Sequence, residues 1–287
     1  MRYEAPESLD AAVALLAGAN GDARVLAGGT DLLVQMRSEV LEPELIVDIK
    51  KIAETRRVTE EGGRWRIGAA VTGAELKENA RLKAAWPGVV EAANLIGSTQ
   101  IQGRATMGGN LCNGSPAADS VPALIAAGAV ANVAGPKGRR DIPVEDVMLG
   151  PRKLSLTRGE FIVSFLLPAR GKGTGDAYLR FIPRTEMDIA VVGAGVNLTV
   201  DGAGVITAAR VGLGAVAARV LLVGPAAQAI VGSSLDEAAQ RRLEAAAQAA
   251  CQPIDDKRGT IEFRTEVAGV LTRRAALIAL ERARANR

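Results

Sequence analysis

The chain predicts an α+β protein, with an N-terminal half of mixed strands and helices followed by an antiparallel sheet that carries helices. Three observations predict it. Strand-like runs joined by short turn sequences mark hairpins at 56–71 and 129–144. Stretches of helical periodicity fall at 6–18, 73–97 and 262–285. A Gly- and Lys-rich stretch at 169–176, "ARGKGTGD", separates the two halves. With 287 residues, 48% of them apolar, the chain can bury a core divided between two or three domains.

Taken in order, residues 6–18 form a capped amphipathic helix that stops at glycine. Residues 24–27 are a short buried strand, and Gly28-Gly29 turns it into a helix over 30–37. "ELIVDI" at 44–49 is the next strand, and the 56–71 hairpin turns at Glu61-Gly62-Gly63. The helical stretch at 73–97 breaks at Trp86-Pro87-Gly88. A second glycine pair, Gly108-Gly109, lies in a segment predicted to be a long loop, with a helix starting at Ala118 or Asp119. The 129–144 hairpin turns between Gly135 and Gly138, and "EFIVSFLLP" at 160–168 closes the first half. Beyond 169–176, strands are predicted at 177–184, 189–200 and 205–216, then helices at 235–250 and 262–285.

Composition removes several functions. The chain has no histidine, so Ser-His-Asp and Cys-His catalysis, histidine-ligated metals and the usual neutral-pH proton shuttle are excluded. Cys112 and Cys251 cannot ligate an iron–sulfur cluster by themselves and form no secreted disulfide scaffold. Hard redox chemistry therefore needs a bound organic cofactor. The net charge of +3 comes without a long basic stripe, which argues against nucleic acid as a partner. The basic residues from 273 to 287 alternate with Ala, Leu and Ile at helical spacing and suit a helix with a solvated face. With no signal-peptide pattern and no apolar run long enough to span a bilayer, the expected protein is soluble, cytoplasmic and not inserted in a membrane.

The chemistry-bearing segments are "VLAGGTDLLVQMR" at 25–37 and "RATMGGNLCNGSPAADSVPALIAAGA" at 104–129. Glycine at a strand-to-helix turn permits positive φ and lets a ligand approach the backbone. The helix that follows offers free N–H groups and a positive dipole end, suited to phosphate. Thr30, Thr106 and Asn110 add side-chain donors, and Asp119 is a candidate acceptor for a ribose or ribityl hydroxyl. Either pair alone reads as a turn; together, a turn and a pyrophosphate clamp stand as equal readings. Neither segment has the Gly-Lys-Ser/Thr of a nucleoside triphosphatase loop. The Gly193 and Gly195 pair lacks the third Rossmann glycine, since Leu198 stands there, and reads as relief of crowding within a sheet.

"AGGTDLL", "TMGGNLCNGSPAADSVPAL" and "RTEMDIAVVGAGVNL", in this order over essentially the whole length, resemble the FAD-binding medium subunit of molybdenum hydroxylases. That family includes carbon monoxide dehydrogenase, nicotinate and quinoline oxidoreductases and xanthine dehydrogenase. The resemblance implies a vanillyl-alcohol-oxidase-type (PCMH-like) FAD-binding fold. Its FAD-binding domain would span 1–170, with subdomains at about 1–55 and 56–170, and a C-terminal sheet-and-helix domain would span 175–287.

By the same resemblance, Ala27, Gly28, Gly29, Thr30 and Asp31, flanked by Leu26 and Leu32, would hold the pyrophosphate. Thr106, Gly108, Gly109 and Asn110, preceded by Ala105, would close over the dinucleotide, with Cys112, Asn113 and Ala118 in the same run. Asp119 matches a residue that binds FAD hydroxyls, and Ile96, Gly97 and Ile101 would pack near the cofactor. Phe161 and Ile162 match a strand at the adenine end. Arg180 replaces a lysine that some relatives carry beside the flavin, and Ile189 falls where relatives carry Ile or Tyr against its ring. The cysteine-bearing insertion of hydroxybenzoyl-CoA reductases is missing from the sequence.

The implied role is electron transfer without a catalytic residue in this chain and without a metal of its own. A large molybdenum-cofactor subunit would hydroxylate the substrate, and a small subunit with two [2Fe–2S] clusters would relay electrons to FAD here. FAD would pass them to an acceptor such as NAD or a quinone, in a heterotrimer or its dimer. A free-standing flavin oxidase or reductase, and a dinucleotide-binding module without redox use, are the alternatives.

Overall fold

The computed structural model describes residues 1–286. Arg287, the last residue of the basic C-terminal stretch, lies outside the described residues. Three main sheets follow one another along the chain. The first is small and parallel, with β1 (Arg2–Glu4), β2 (Ala23–Leu26) and β3 (Leu45–Asp48) in the order β1-β3-β2. Helix α1 (Leu9–Gly18) crosses from β1 to β2, capped by the Ser8 hydroxyl on the Ala11 amide, and buries Ala12 and Leu16. Helix α2 (Leu32–Arg37) follows the first glycine pair. The sequence places its start two residues earlier, but residues 30–31 are a turn.

The second sheet is antiparallel, built from β4 (Val58–Glu61), β5 (Arg64–Gly68), β6 (Val130–Gly135), β7 (Gly138–Pro143) and, between β5 and β6, β10 (Phe161–Leu167). Both predicted hairpins are present, at the glycine turns the sequence marks. The sequence does not mark the short pair β8 (Met148–Gly150) and β9 (Lys153–Leu154).

Between β5 and β6 the chain is helical. The predicted break at Trp86-Pro87-Gly88 separates α4 (Ala80–Ala85) from α5 (Pro87–Ala93), and Asn79 separates α3 (Gly73–Glu78) from α4. The segment predicted as one long loop instead contains α6 (Thr99–Gln102) and α7 (Met107–Cys112), and α8 (Ser120–Ala127) follows. Helix α7 forms despite two glycines because Thr106 caps it, its hydroxyl accepting from the Gly109 amide at 3.0 Å. Met107 and Leu111, four residues apart, are buried in the main core.

The third sheet is antiparallel, β11 (Thr174–Phe181), β12 (Val192–Val200), β13 (Ile206–Gly214) and β14 (Leu221–Leu222) in that order. The end of the predicted linker, from Thr174, is therefore strand. Helices α9 (Gly224–Gln228), α10 (Glu237–Ala249) and α11 (Ile261–Ala285) complete the fold. Helix α11 turns Ala268, Leu271, Ala275, Ala279 and Ala283 into the sheet's core, so it serves its own domain. Its end is clasped to α5, where Arg282 donates to Glu91 and to the Asp176 carbonyl. Gly193 pairs with Gly214 and Gly195 with Gly212 across β12 and β13; Gly195, Gly212 and Gly214 make room for Pro122 of α8, and Gly193 for the Tyr178 side chain.

Candidate functional site

A cavity of about 620 Å³ opens between the first and second sheets, within the range of small-molecule and cofactor sites. Most of its wall comes from three separate segments, with Leu16, Ile49 and Ala69 added from elsewhere. The first runs from β2 through the glycine turn into α2, contributing Ala27, Gly28, Gly29, Thr30, Asp31 and Leu32. The second contributes Ile96, Thr106, Gly108, Gly109, Asn110, Cys112 and Asn113. The third ends at Phe161 and Ile162 on β10. All of the residues named from these three segments were singled out in the sequence.

The two glycine segments touch each other. A Cβ on Gly28 would stand 2.1 Å from the Arg104 carbonyl oxygen, so only glycine lets the first turn pack there. Farther along, Gln35 of α2 donates to the Asn113 side-chain oxygen at 2.8 Å. The second segment is seated in turn on β5 and α3. The Gly73 amide donates to the Ala105 carbonyl at 2.9 Å, and a Cβ on Gly108 would meet the Ala69 carbonyl oxygen at 2.5 Å.

Polar groups face this space without partners. Among the described residues, the amides of 28–32 have no protein acceptor. Gly29 has φ +78°, a conformation that glycine adopts without strain. A Cβ on Gly109 would meet only the Thr106 hydroxyl, at 3.2 Å. Arg152 and Arg158 also line the cavity and form no ion pair among the described residues, which favours an anionic occupant. Cys112 is open to the cavity yet surrounded by protein; that burial pushes its thiol up to about 12, so it stays neutral at pH 7.

Eight of the singled-out residues do not line the cavity. Leu26 and Ala105 immediately precede lining residues, and Gly97 and Ile101 pack against each other beside Ile96. Ala118 is buried behind the second segment. Asp119, 8% exposed, accepts from Arg180 at 2.9 Å and from the Tyr178 hydroxyl at 3.4 Å. Arg180 also donates to the Leu95 carbonyl at 2.7 Å. Burial pushes the Asp119 carboxyl up to about 6, against the opposing pull of Arg180 and Tyr178. Ile189 is 54% exposed on the β11–β12 loop, beside Asp188, which Arg184 and Arg258 hold at 2.9 and 3.0 Å.

Sequence reasoning missed much of the wall before β10, including Arg152, Leu154, Leu156, Thr157, Arg158 and Glu160, and it missed residues 21–23 before the first turn. These carry no motif. The available signal was position alone, since they flank segments that were found.

Small residues, unpaired amides and free guanidinium groups around one cavity define a protein built for a phosphate-bearing organic ligand. Comparison with known proteins makes the class specific. Residues 1–170 match the family described as FAD binding domain in molybdopterin dehydrogenase, and residues 177–279 match the CO dehydrogenase flavoprotein C-terminal domain. The carbon monoxide dehydrogenase medium chain of Afipia carboxidovorans is 36% identical over 284 residues, covering 99% of this chain and 96% of the relative. The xanthine dehydrogenase FAD-binding subunit of Escherichia coli O157:H7 is 32% identical over 277 residues, covering 95% and 93%. The crystal structure of the Cu,Mo-CO dehydrogenase in its cyanide-inactivated form contains a chain that superposes with TM-score 0.94 at 36% identity, covering 98% of both chains. The chain belongs to the family of FAD-binding flavoprotein subunits of the carbon monoxide and xanthine dehydrogenases, and it is an oxidoreductase subunit with the PCMH-like fold.

The residues present fit FAD. Its diphosphate needs donors that can be approached closely, and the amides of 28–32 have no protein acceptor. Gly109 leaves room on the cavity side that any side chain would fill.

Proposed function

We propose that this chain is the electron-transfer flavoprotein of a molybdenum hydroxylase. It would take electrons from the [2Fe–2S] clusters of a small subunit and deliver them to an acceptor such as NAD or a quinone. The hydroxylation would occur on a large molybdopterin-binding subunit, in a cytoplasmic heterotrimer or its dimer. No helix among the described residues is long and apolar enough to cross a membrane.

The observation that carries the reading is the convergence of both glycine segments on one cavity. Residues 27–32 would bind the diphosphate through their amides, with Thr30 adding a hydroxyl. Thr106, Gly108, Gly109 and Asn110 would close over it, and Phe161 and Ile162 would flank the adenine end. Leu26, Gly97, Ile101, Ala105 and Ala118 would support these walls from outside the cavity. Asp119 and Arg180, bonded to each other, would fix the second segment against β11, and Ile189 would approach the flavin from the β11–β12 loop. Bound FAD supplies reversible electron transfer; the protein binds, orients and shields it. A neutral Cys112 adds no competing thiolate.

Purification of the native protein tests this reading. The expected result is a yellow protein with the FAD spectrum that co-purifies with an iron–sulfur chain and a molybdopterin-binding chain. Turnover of an organic substrate by the isolated chain would favour a free-standing flavoenzyme, and a colourless protein that takes up no FAD would favour a non-redox module.

A further inference from the structure

The first glycine turn is held from behind by a polar chain that ends in the N-terminal strand. Lys50, just past β3, donates from Nζ to the Ala27 carbonyl at 2.9 Å and to both carboxylate oxygens of Asp48 at 2.8 Å. An ammonium has three protons, and these three acceptors use them. Asp48 is itself buried and also accepts from the Lys50 amide at 2.9 Å and from the Tyr3 hydroxyl of β1 at 2.6 Å. Burial raises the Asp48 carboxyl, but the bonds from Lys50 and Tyr3 outweigh it and hold it below the ordinary carboxylate range. Asp48 is therefore a carboxylate at neutral pH, held in place by its bonds from Lys50 and Tyr3.

The consequence follows from the peptide plane. In a trans peptide the carbonyl and the N–H of one unit point in opposite directions. Fixing the Ala27 oxygen on Lys50 therefore aims the Gly28 N–H away from Lys50. Ala27 and Gly28 line the cavity and Lys50 does not. The Gly28 N–H has no protein acceptor among the described residues. A cation on the carbonyl side also polarises that peptide, which strengthens its N–H as a donor.

We propose that Lys50, braced by Asp48 and Tyr3, is a positioning residue that locks the Ala27–Gly28 peptide and presets the first glycine turn for the diphosphate of its dinucleotide. This rests on the FAD reading given above. Lys50 touches no ligand in this scheme and acts through the backbone alone.

Titration of the full-length chain with FAD and with ADP, alongside thermal melting of the ligand-free protein, tests it. Lys50→Met is expected to weaken both ligands by the same factor, about tenfold, the worth of one charge-assisted hydrogen bond, in titrations run well below its ligand-free melting temperature, which falls because Asp48 loses its partner. Lys50→Arg should recover most of that loss, because a guanidinium can reach both acceptors. Unchanged affinities in folded Lys50→Met, or a loss for FAD that ADP does not share, overturn the proposal. If Lys50→Met fails to fold, the double variant Asp48→Asn/Lys50→Met removes the stranded carboxylate, and the same tenfold loss is expected of it. Normal wild-type binding beside an unaffected variant overturns the role of Lys50 alone. A wild-type chain that takes neither ligand overturns the reading of the cavity and this proposal with it.

Discussion

Gly109 on the cavity wall and the glycines on β12 and β13 look alike in sequence, and they differ in what occupies the space a side chain would fill. On the sheet, a Cβ on Gly195 or Gly212 would stand 2.6 or 2.3 Å from the Pro122 carbonyl oxygen, and one on Gly214 would meet the Pro122 ring at 2.8 Å. These glycines let a helix lie flat on a sheet. At Gly109 the protein supplies only the Thr106 hydroxyl at 3.2 Å, and the remaining space is cavity. The same missing methyl serves packing on the sheet and leaves open cavity space at Gly109. The two uses are coupled, because the helix resting on the sheet is α8, which continues the second glycine segment.

Substitution separates the two uses. The largest effect is expected for Gly212→Val, whose side chain must displace the Pro122 backbone; a loss of about 3 kcal/mol or more should follow in urea unfolding. Wild-type stability in that variant would remove the packing role. Asp119→Ala comes next. It strands Arg180 in a buried site, and about 3 kcal/mol of stability should go with it. Unchanged stability with weakened FAD binding would instead make Asp119 a direct ligand contact and move it to the cavity side of the comparison.

Gly109→Val should do the opposite of Gly212→Val, keeping the fold while FAD binding falls at least about tenfold, since the added methyls enter space the ligand needs. Full flavin occupancy in the folded variant would sink the clamp assignment. The smallest effect concerns Glu160 on the cavity wall. The Arg140 guanidinium, opposed by burial and helped by Thr157, holds its carboxyl down to about 2 from 4.5. Such a group stabilises the fold above pH 4.5 and loses that contribution as pH falls through about 2. Arg140 is half exposed, so wild type should exceed Glu160→Gln by only about 1 kcal/mol at pH 6, vanishing near pH 2. A difference that does not change with pH would show that the pair is not what lowers Glu160.

How much of this was legible in the sequence depends on whether a segment announces its backbone. Gly28-Gly29 does, and so does the hairpin turn from Gly135 to Gly138. The sheet role of Gly193 and Gly195 was also legible, because a missing third glycine removed the nucleotide-binding alternative. Helix α7 was not legible: its two glycines oppose helix formation locally, and a Thr cap with two buried side chains overrides them. The wall around 152–160 was hidden for a different reason. Its residues contribute by lying beside β10, and adjacency across a sheet leaves no local pattern.

The contact between Gly28 and the Arg104 carbonyl sets the gauge of the site. At that point the two segments meet backbone to backbone, with no side chain between them, so their closest approach is set by main-chain dimensions. Those dimensions do not vary with rotamer, pH or ionic strength. The junction is thus a fixed edge of a cavity whose other walls, Leu16, Leu32, Leu154 and Leu156 among them, are side chains. Adding a single methyl at position 28 would force the first turn off the Arg104 backbone.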